Sequence, residues 1–146
     1  MPYSPILVKP MREELTSVGI QELTTAAEVE AWMDERRGLS MLVVNSVCGC
    51  AAGAARPGIR LALAAGARPD RIATVFAGQD LEATARARQE LADIPPSSPS
   101  IALFRDDELV YFVPRHRIEG KDAQGVAEDL RQAFSRYAAE PAGRAT

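Results

Sequence analysis

Residues 41–58 read MLVVNSVCGCAAGAARPG, and the character of the chain changes in the middle of that run. The first part is short, apolar and rich in β-branched residues, which suits a strand buried on both faces. The second part is crowded with alanine and leads into LALAA at 61–65, which suits a helix that Gly66 ends. Cys48 and Cys50 stand at the junction. Pro57 and Gly58 predict a bend partway along the helix. Working outward, Thr25 with Glu28 reads as a capping box, and Val29, Trp32 and Met33 follow at helical spacing. An opening helix is expected near Met11 to Val18. Downstream, RIATVFA at 71–77 is a second strand, and Asp80 can cap a helix through LEATARARQELA. SIALF and LVYFV, joined by the charged turn RDDE, form an antiparallel hairpin. Val126, Leu130, Phe134 and Tyr137 then share one face of a closing helix.

From Met41 onward the order is β-α-β-α-β-β-α, so the fold class is α/β: a thioredoxin-like mixed sheet flanked by helices, with an N-terminal helical extension. The expected extent is a single domain over 1–146, with 140–146 a disordered tail. This order brings four segments to one sheet edge: NSVCGC, AGQD, PSSPS and PRHRIEG. Sites on open α/β sheets lie beyond strand ends, so function is expected there.

A cysteine at a strand-to-helix junction meets unpaired backbone N–H groups and the positive end of the helix dipole, both of which favour the thiolate. Cys48, at the outer end, is the expected nucleophile. Gly49 adds no side chain and leaves room for a disulfide to approach. Cys50 should lie inside the first turn, with a pKa above that of Cys48 and less exposure. Two residues two apart in regular helix diverge by roughly 200°, so a Cys48–Cys50 bridge should distort the helix start. Three other readings compete: a redox-sensing interaction module in which oxidation of the pair distorts the helix and alters a partner surface, two small buried residues at a tight turn, and the beginning of a metal site. The last lacks ligands, since His116 is the one histidine. No metal and no cofactor are expected.

Pro99 precedes the third strand, and a cis Ser98–Pro99 bond would face Cys48 and align an extended substrate. Arg115 and His116 follow the fourth strand, where a cation could favour the thiolate or hold an anionic thiol. Arg56 reads as half of a surface ion pair, Gln79 as the close of a strand, and Trp32 as core.

The stretches PMREELTSVG, ELTTAAEVE, VVNSVCGCAAG followed by ARP, TVFAGQD with EATA, PPSSPS and VPRHRIEG together resemble the bacilliredoxin family of bacterial CxC proteins, over nearly the whole chain. The resemblance implies a thioredoxin-like fold whose first motif cysteine, here Cys48, removes bacillithiol from S-bacillithiolated proteins and carries it as a mixed disulfide. Cys50 matches the second motif cysteine. Oxidised, S-thiolated cytosolic proteins and a low-molecular-weight thiol, bacillithiol or a similar one, are the implied partner and co-substrate. Weak disulfide reductase or isomerase activity is implied as well.

Bulk properties fit this picture. Seventeen basic and twenty acidic residues, mixed along 146, offer no basic stripe for nucleic acid. The apolar runs fall short of the ~20 residues a membrane span needs. MPYSPILVKPMREEL lacks the layout of a secretory signal, and two cysteines one residue apart staple no loop, so a cytoplasmic location is expected.

Overall fold

A computed structural model describes residues 2–138; the tail expected at 140–146 lies outside them. The elements are α1 (Pro5–Thr16), β1 (Gln21–Glu22), α2 (Ala26–Asp34), β2 (Leu39–Asn45), α3 (Arg56–Ala64), β3 (Arg71–Phe76), α4 (Leu81–Gln89), β4 (Ser100–Arg105), β5 (Glu108–Val113), α5 (Arg115–Ile118) and α6 (Ala123–Ala138). The strands form one sheet in the order β1-β3-β2-β4-β5. β2 pairs parallel with β3 and antiparallel with β4, and β4 pairs antiparallel with β5.

Alternation along the strands divides the core into two layers. Leu39, Met41, Val43, Ile101 and Leu103 pack with α1, α3 and α6 on one face. Leu42, Val44, Ala73, Val75 and Ala102 pack with α2 and α4 on the other, where Trp32 is buried as expected. Every residue of β2 is buried, the signature of a central strand covered on both faces.

Several details depart from the sequence reading. α1 begins at Pro5, six residues earlier than expected, because Ser4 caps it and accepts from Ile6 N–H; the helix then continues through Pro10. Strand β1 was not expected: it is two residues long and lacks an apolar run, and its pairing with β3 is continued by Leu23 N–H donating to Thr74 O. Thr25 and Glu28 do form the capping box. Asp80 stands at the cap position of α4 but makes no cap bond; its carboxylate accepts instead from Arg12, at 2.7 and 3.0 Å. Gln79 closes β3 and also clamps the N-terminal chain, accepting from Tyr3 N–H and donating to Tyr3 O.

Pro57 does not break the helix: the chain is helical from Gly49 through a π-helical turn and on into α3, and Pro57 follows that turn directly, where the widened ladder accommodates a residue without an N–H. The irregularity comes earlier, as a π-helical turn over Ala51–Ala55. Gly58 serves packing: a Cβ there would sit 2.7 Å from Val126 Cβ and 2.9 Å from Ala123 O on α6. Gly58→Ala is therefore expected to push α3 off α6 and cost roughly 1–3 kcal/mol, read by denaturant unfolding. An unchanged midpoint would show that the two helices can part freely.

Candidate active site

The four segments meet at one edge of the sheet. Ala77 N–H, just past β3, donates to Asn45 O at 3.0 Å, which joins the ends of β2 and β3. Val44 pairs with Ser100 and Ile101 with Val113, which brings the start of β4 and the end of β5 level with them. The Ser98–Pro99 bond is cis, and Pro99 is buried one residue beyond the Val44–Ser100 pair, alongside the chain leading to Cys48. Arg115 N–H donates to Ser97 Oγ at 3.2 Å, tying the proline loop to α5.

Cys48 sits just outside the helical turn, and its carbonyl accepts from Ala51 and Ala52 N–H at 3.1 and 3.2 Å. Cys50 already has helical dihedrals. Because only one of the two is helical, the expected splay does not arise, and the sulfurs of these free, half-buried cysteines lie 3.1 Å apart. A disulfide needs about 2.05 Å, so roughly 1 Å of closure would join them. The π-helical turn lies directly behind the pair, a common place for such turns at working sites.

Electrostatics separate the two thiols. Burial pushes Cys48 up, but hydrogen bonding to Ser46, to Cys50 and to the Ala51 N–H, together with the charge of Arg115, outweighs it and holds Cys48 below an ordinary cysteine. Burial pushes Cys50 up, and its contact with the Cys48 sulfur and that sulfur's charge push it further; Arg115 offsets only part. One sulfur is disposed to ionise and its neighbour to keep a proton.

The remaining candidates are placed unequally. Arg115 is exposed, paired with Glu119 at 3.2 Å, and its charge acts on both cysteines. His116 is exposed on the same short helix and makes no hydrogen bond to either cysteine among the described residues. Gly49 is exposed, and a Cβ there would meet nothing within 4 Å beyond its chain neighbours. Ser98 is half-buried, and it is Ser97 rather than Ser98 that bonds α5. Among the described residues no group of three or more His, Cys, Asp or Glu side chains could hold a metal ion, and no helix is long and apolar enough to cross a membrane.

Arg56 corrects the sequence reading most sharply. Instead of a surface ion pair, its side chain is 2% exposed. It donates to Asn45 Oδ1 at 3.0 Å and to Ser46 O at 2.6 Å, with its Nε 3.3 Å from the Glu14 carboxylate. The same Asn45 oxygen accepts from Ser46 N–H, and Ser46 Oγ accepts from Cys48 N–H at 3.2 Å. A signal was present: Ile59 and Leu63 extended backward at helical spacing land on position 56, and Asn45 is a polar residue ending an apolar central strand.

Comparison with known proteins agrees with this geometry. Residues 3–138 match the family model described as disulphide isomerase. A bacilliredoxin of Salinibacter ruber is 56% identical over 139 residues, covering 94% of this chain and 82% of the relative. One of Cytophaga hutchinsonii is 51% identical over 132 residues, covering 90% and 97%. Among solved structures, thioredoxin of Fasciola hepatica superposes with a TM-score of 0.54 at 17% identity, covering 81% of this chain and 99% of that one. Thioredoxin O2 of Arabidopsis thaliana in its oxidised state gives 0.55 at 16% identity, covering 81% and 96%. The fold is thioredoxin-like, the CxC pair stands at one edge of its sheet, and the chain belongs to the bacilliredoxin family of thiol–disulfide oxidoreductases.

Proposed function

We propose that this protein removes a low-molecular-weight thiol, bacillithiol or a close analogue, from mixed disulfides on cytoplasmic proteins. The observation that carries the reading is the pair of sulfurs 3.1 Å apart whose proton affinities are pushed in opposite directions.

The Cys48 thiolate attacks the small thiol's sulfur in the protein mixed disulfide. The old S–S bond breaks, and the client cysteine leaves as a thiolate and takes up a proton. Cys48 now holds the small thiol as a mixed disulfide, with no net oxidation or reduction. A second small-thiol thiolate then attacks the carried sulfur, releasing a symmetrical disulfide and free Cys48; a reductase of that disulfide supplies the two electrons. Alternatively, Cys50 loses its proton and attacks Cys48, expelling the small thiol and forming the Cys48–Cys50 bond, which an external dithiol must reduce. The short distance between the sulfurs favours this branch as a route to disulfide reduction or isomerisation. Arg115, exposed beside both cysteines, suits an anionic small thiol. The open space over Gly49 suits a protein-sized disulfide. An extended client segment would lie along Ser98 and Pro99, with His116, next to Arg115 in the chain, serving the same edge.

Incubating the reduced protein with a bacillithiolated client and following masses should show the adduct on Cys48. Cys48→Ser should carry none, whereas Cys50→Ser should accumulate it. An adduct on Cys50 in the wild type, or many turnovers by Cys48→Ser, would defeat the assignment. Because attack requires the thiolate and the Cys48 pKa is lowered, the rate should rise with pH and level off below the range of a free cysteine, about 8.5. Arg115→Gln removes one of the groups that lower it, so the rising limb should move to higher pH and the rate at pH 7 should fall about two- to fivefold. Superimposable pH profiles would exclude that role for Arg115.

A further inference from the structure

We infer that Arg56 is a positioning residue for the Cys48 thiolate, acting through Asn45 and Ser46 rather than by touching substrate. This deepens the reading of Cys48 as the nucleophile and rests on it. The observation is a buried charge that fold stability alone does not require. An alanine-rich helix start packed on an apolar core has no need of a guanidinium, and burying one costs several kcal/mol before its partners repay it.

Its partners explain the placement. Arg56 Nη1 bonds two oxygens at once, the Asn45 side chain at 3.0 Å and the Ser46 carbonyl at 2.6 Å. Those two residues are the last of β2 and the first after it, where the chain must leave the sheet and present Cys48. Asn45 is held from three sides: its Oδ1 accepts from Arg56 and from Ser46 N–H at 2.8 Å, and its Nδ2 donates to Met11 O at 3.3 Å. With its carbonyl drawn to Arg56 and its N–H drawn to Asn45, the Ser46 backbone is fixed, and its hydroxyl is left facing Cys48. There Oγ accepts from Cys48 N–H at 3.2 Å, and the same hydroxyl helps hold the Cys48 thiol below its ordinary range.

Glu14, on α1, supplies the counter-charge at 3.3 Å and is itself 39% exposed, so the relay runs from a solvated carboxylate inward to the sulfur. Nε of Arg56 is buried and lacks an aligned acceptor, which leaves the fork toward Asn45 and Ser46 as the arrangement its position serves. Lysine at this site would keep the charge but lose the planar donor geometry.

The test uses iodoacetamide, whose reaction with thiolate does not depend on any natural substrate. Alkylation of Cys48 is followed by mass across pH in the wild type, Arg56→Lys, Arg56→Met and Ser46→Ala, with folding checked by circular dichroism and melting. Relative to wild type, the Cys48 titration midpoint should rise in all three. The rate at pH 7 should fall about tenfold in Arg56→Met, the equivalent of one pKa unit of thiolate, and less in Arg56→Lys. Should Arg56→Met fail to fold, Ser46→Ala severs only the last link and should still move the midpoint upward. A folded Arg56 variant that melts earlier but keeps the wild-type midpoint and rate would make Arg56 merely structural and overturn the inference. Preferential alkylation of Cys50 in the wild type would instead remove the nucleophile assignment beneath it.

Discussion

The central position of β2 is the constraint from which the site follows. Among the described residues it is the one strand with a parallel neighbour on one side and an antiparallel neighbour on the other, and all seven of its residues are buried. Its register with β3 and β4 is therefore fixed by two ladders and two apolar layers, since a slip of one residue would turn both faces inside out. The chain leaves this rail at Asn45, three residues before Cys48. A sulfur so close to a rigid strand end is located within narrow limits before any interaction of its own is counted.

Local chemistry then decides what that sulfur does. Burial alone would raise both thiols, and at Cys50 it prevails. At Cys48 the junction reverses the balance, because hydrogen bonding to Ser46, Cys50 and the Ala51 N–H favours its thiolate and because Arg115 is brought in by α5. The buried Arg56 follows the same accounting. Hydrogen bonds to a charged group contribute about 1.5–3 kcal/mol each, so the two it makes are on the scale of the several kcal/mol that its desolvation costs.

Much of this was legible in the sequence, for identifiable reasons. The strands of the sheet from Met41 onward announced themselves through apolar runs, α2 through its capping box, and the edge location of the cysteines followed from element order alone. What escaped reading depended on partners distant in the chain. Strand β1 is two residues that acquire their identity only beside β3. Asp80 has the residue type and position of a helix cap, yet Arg12, sixty-eight residues away, claims its carboxylate with a charge-assisted pair. Arg56 looked like an exposed cation because arginine usually is one; Asn45 and Glu14, which make it otherwise, are eleven and forty-two residues distant.

The amide of Gln79 reads the backbone of Tyr3 in both directions, much as a neighbouring strand would. The amino-terminal residues are thereby moored to the loop after β3, at the same end of the sheet as the two thiols. Any segment fused ahead of Tyr3, such as a purification handle, would therefore leave the molecule at that end of the sheet and not at the opposite one.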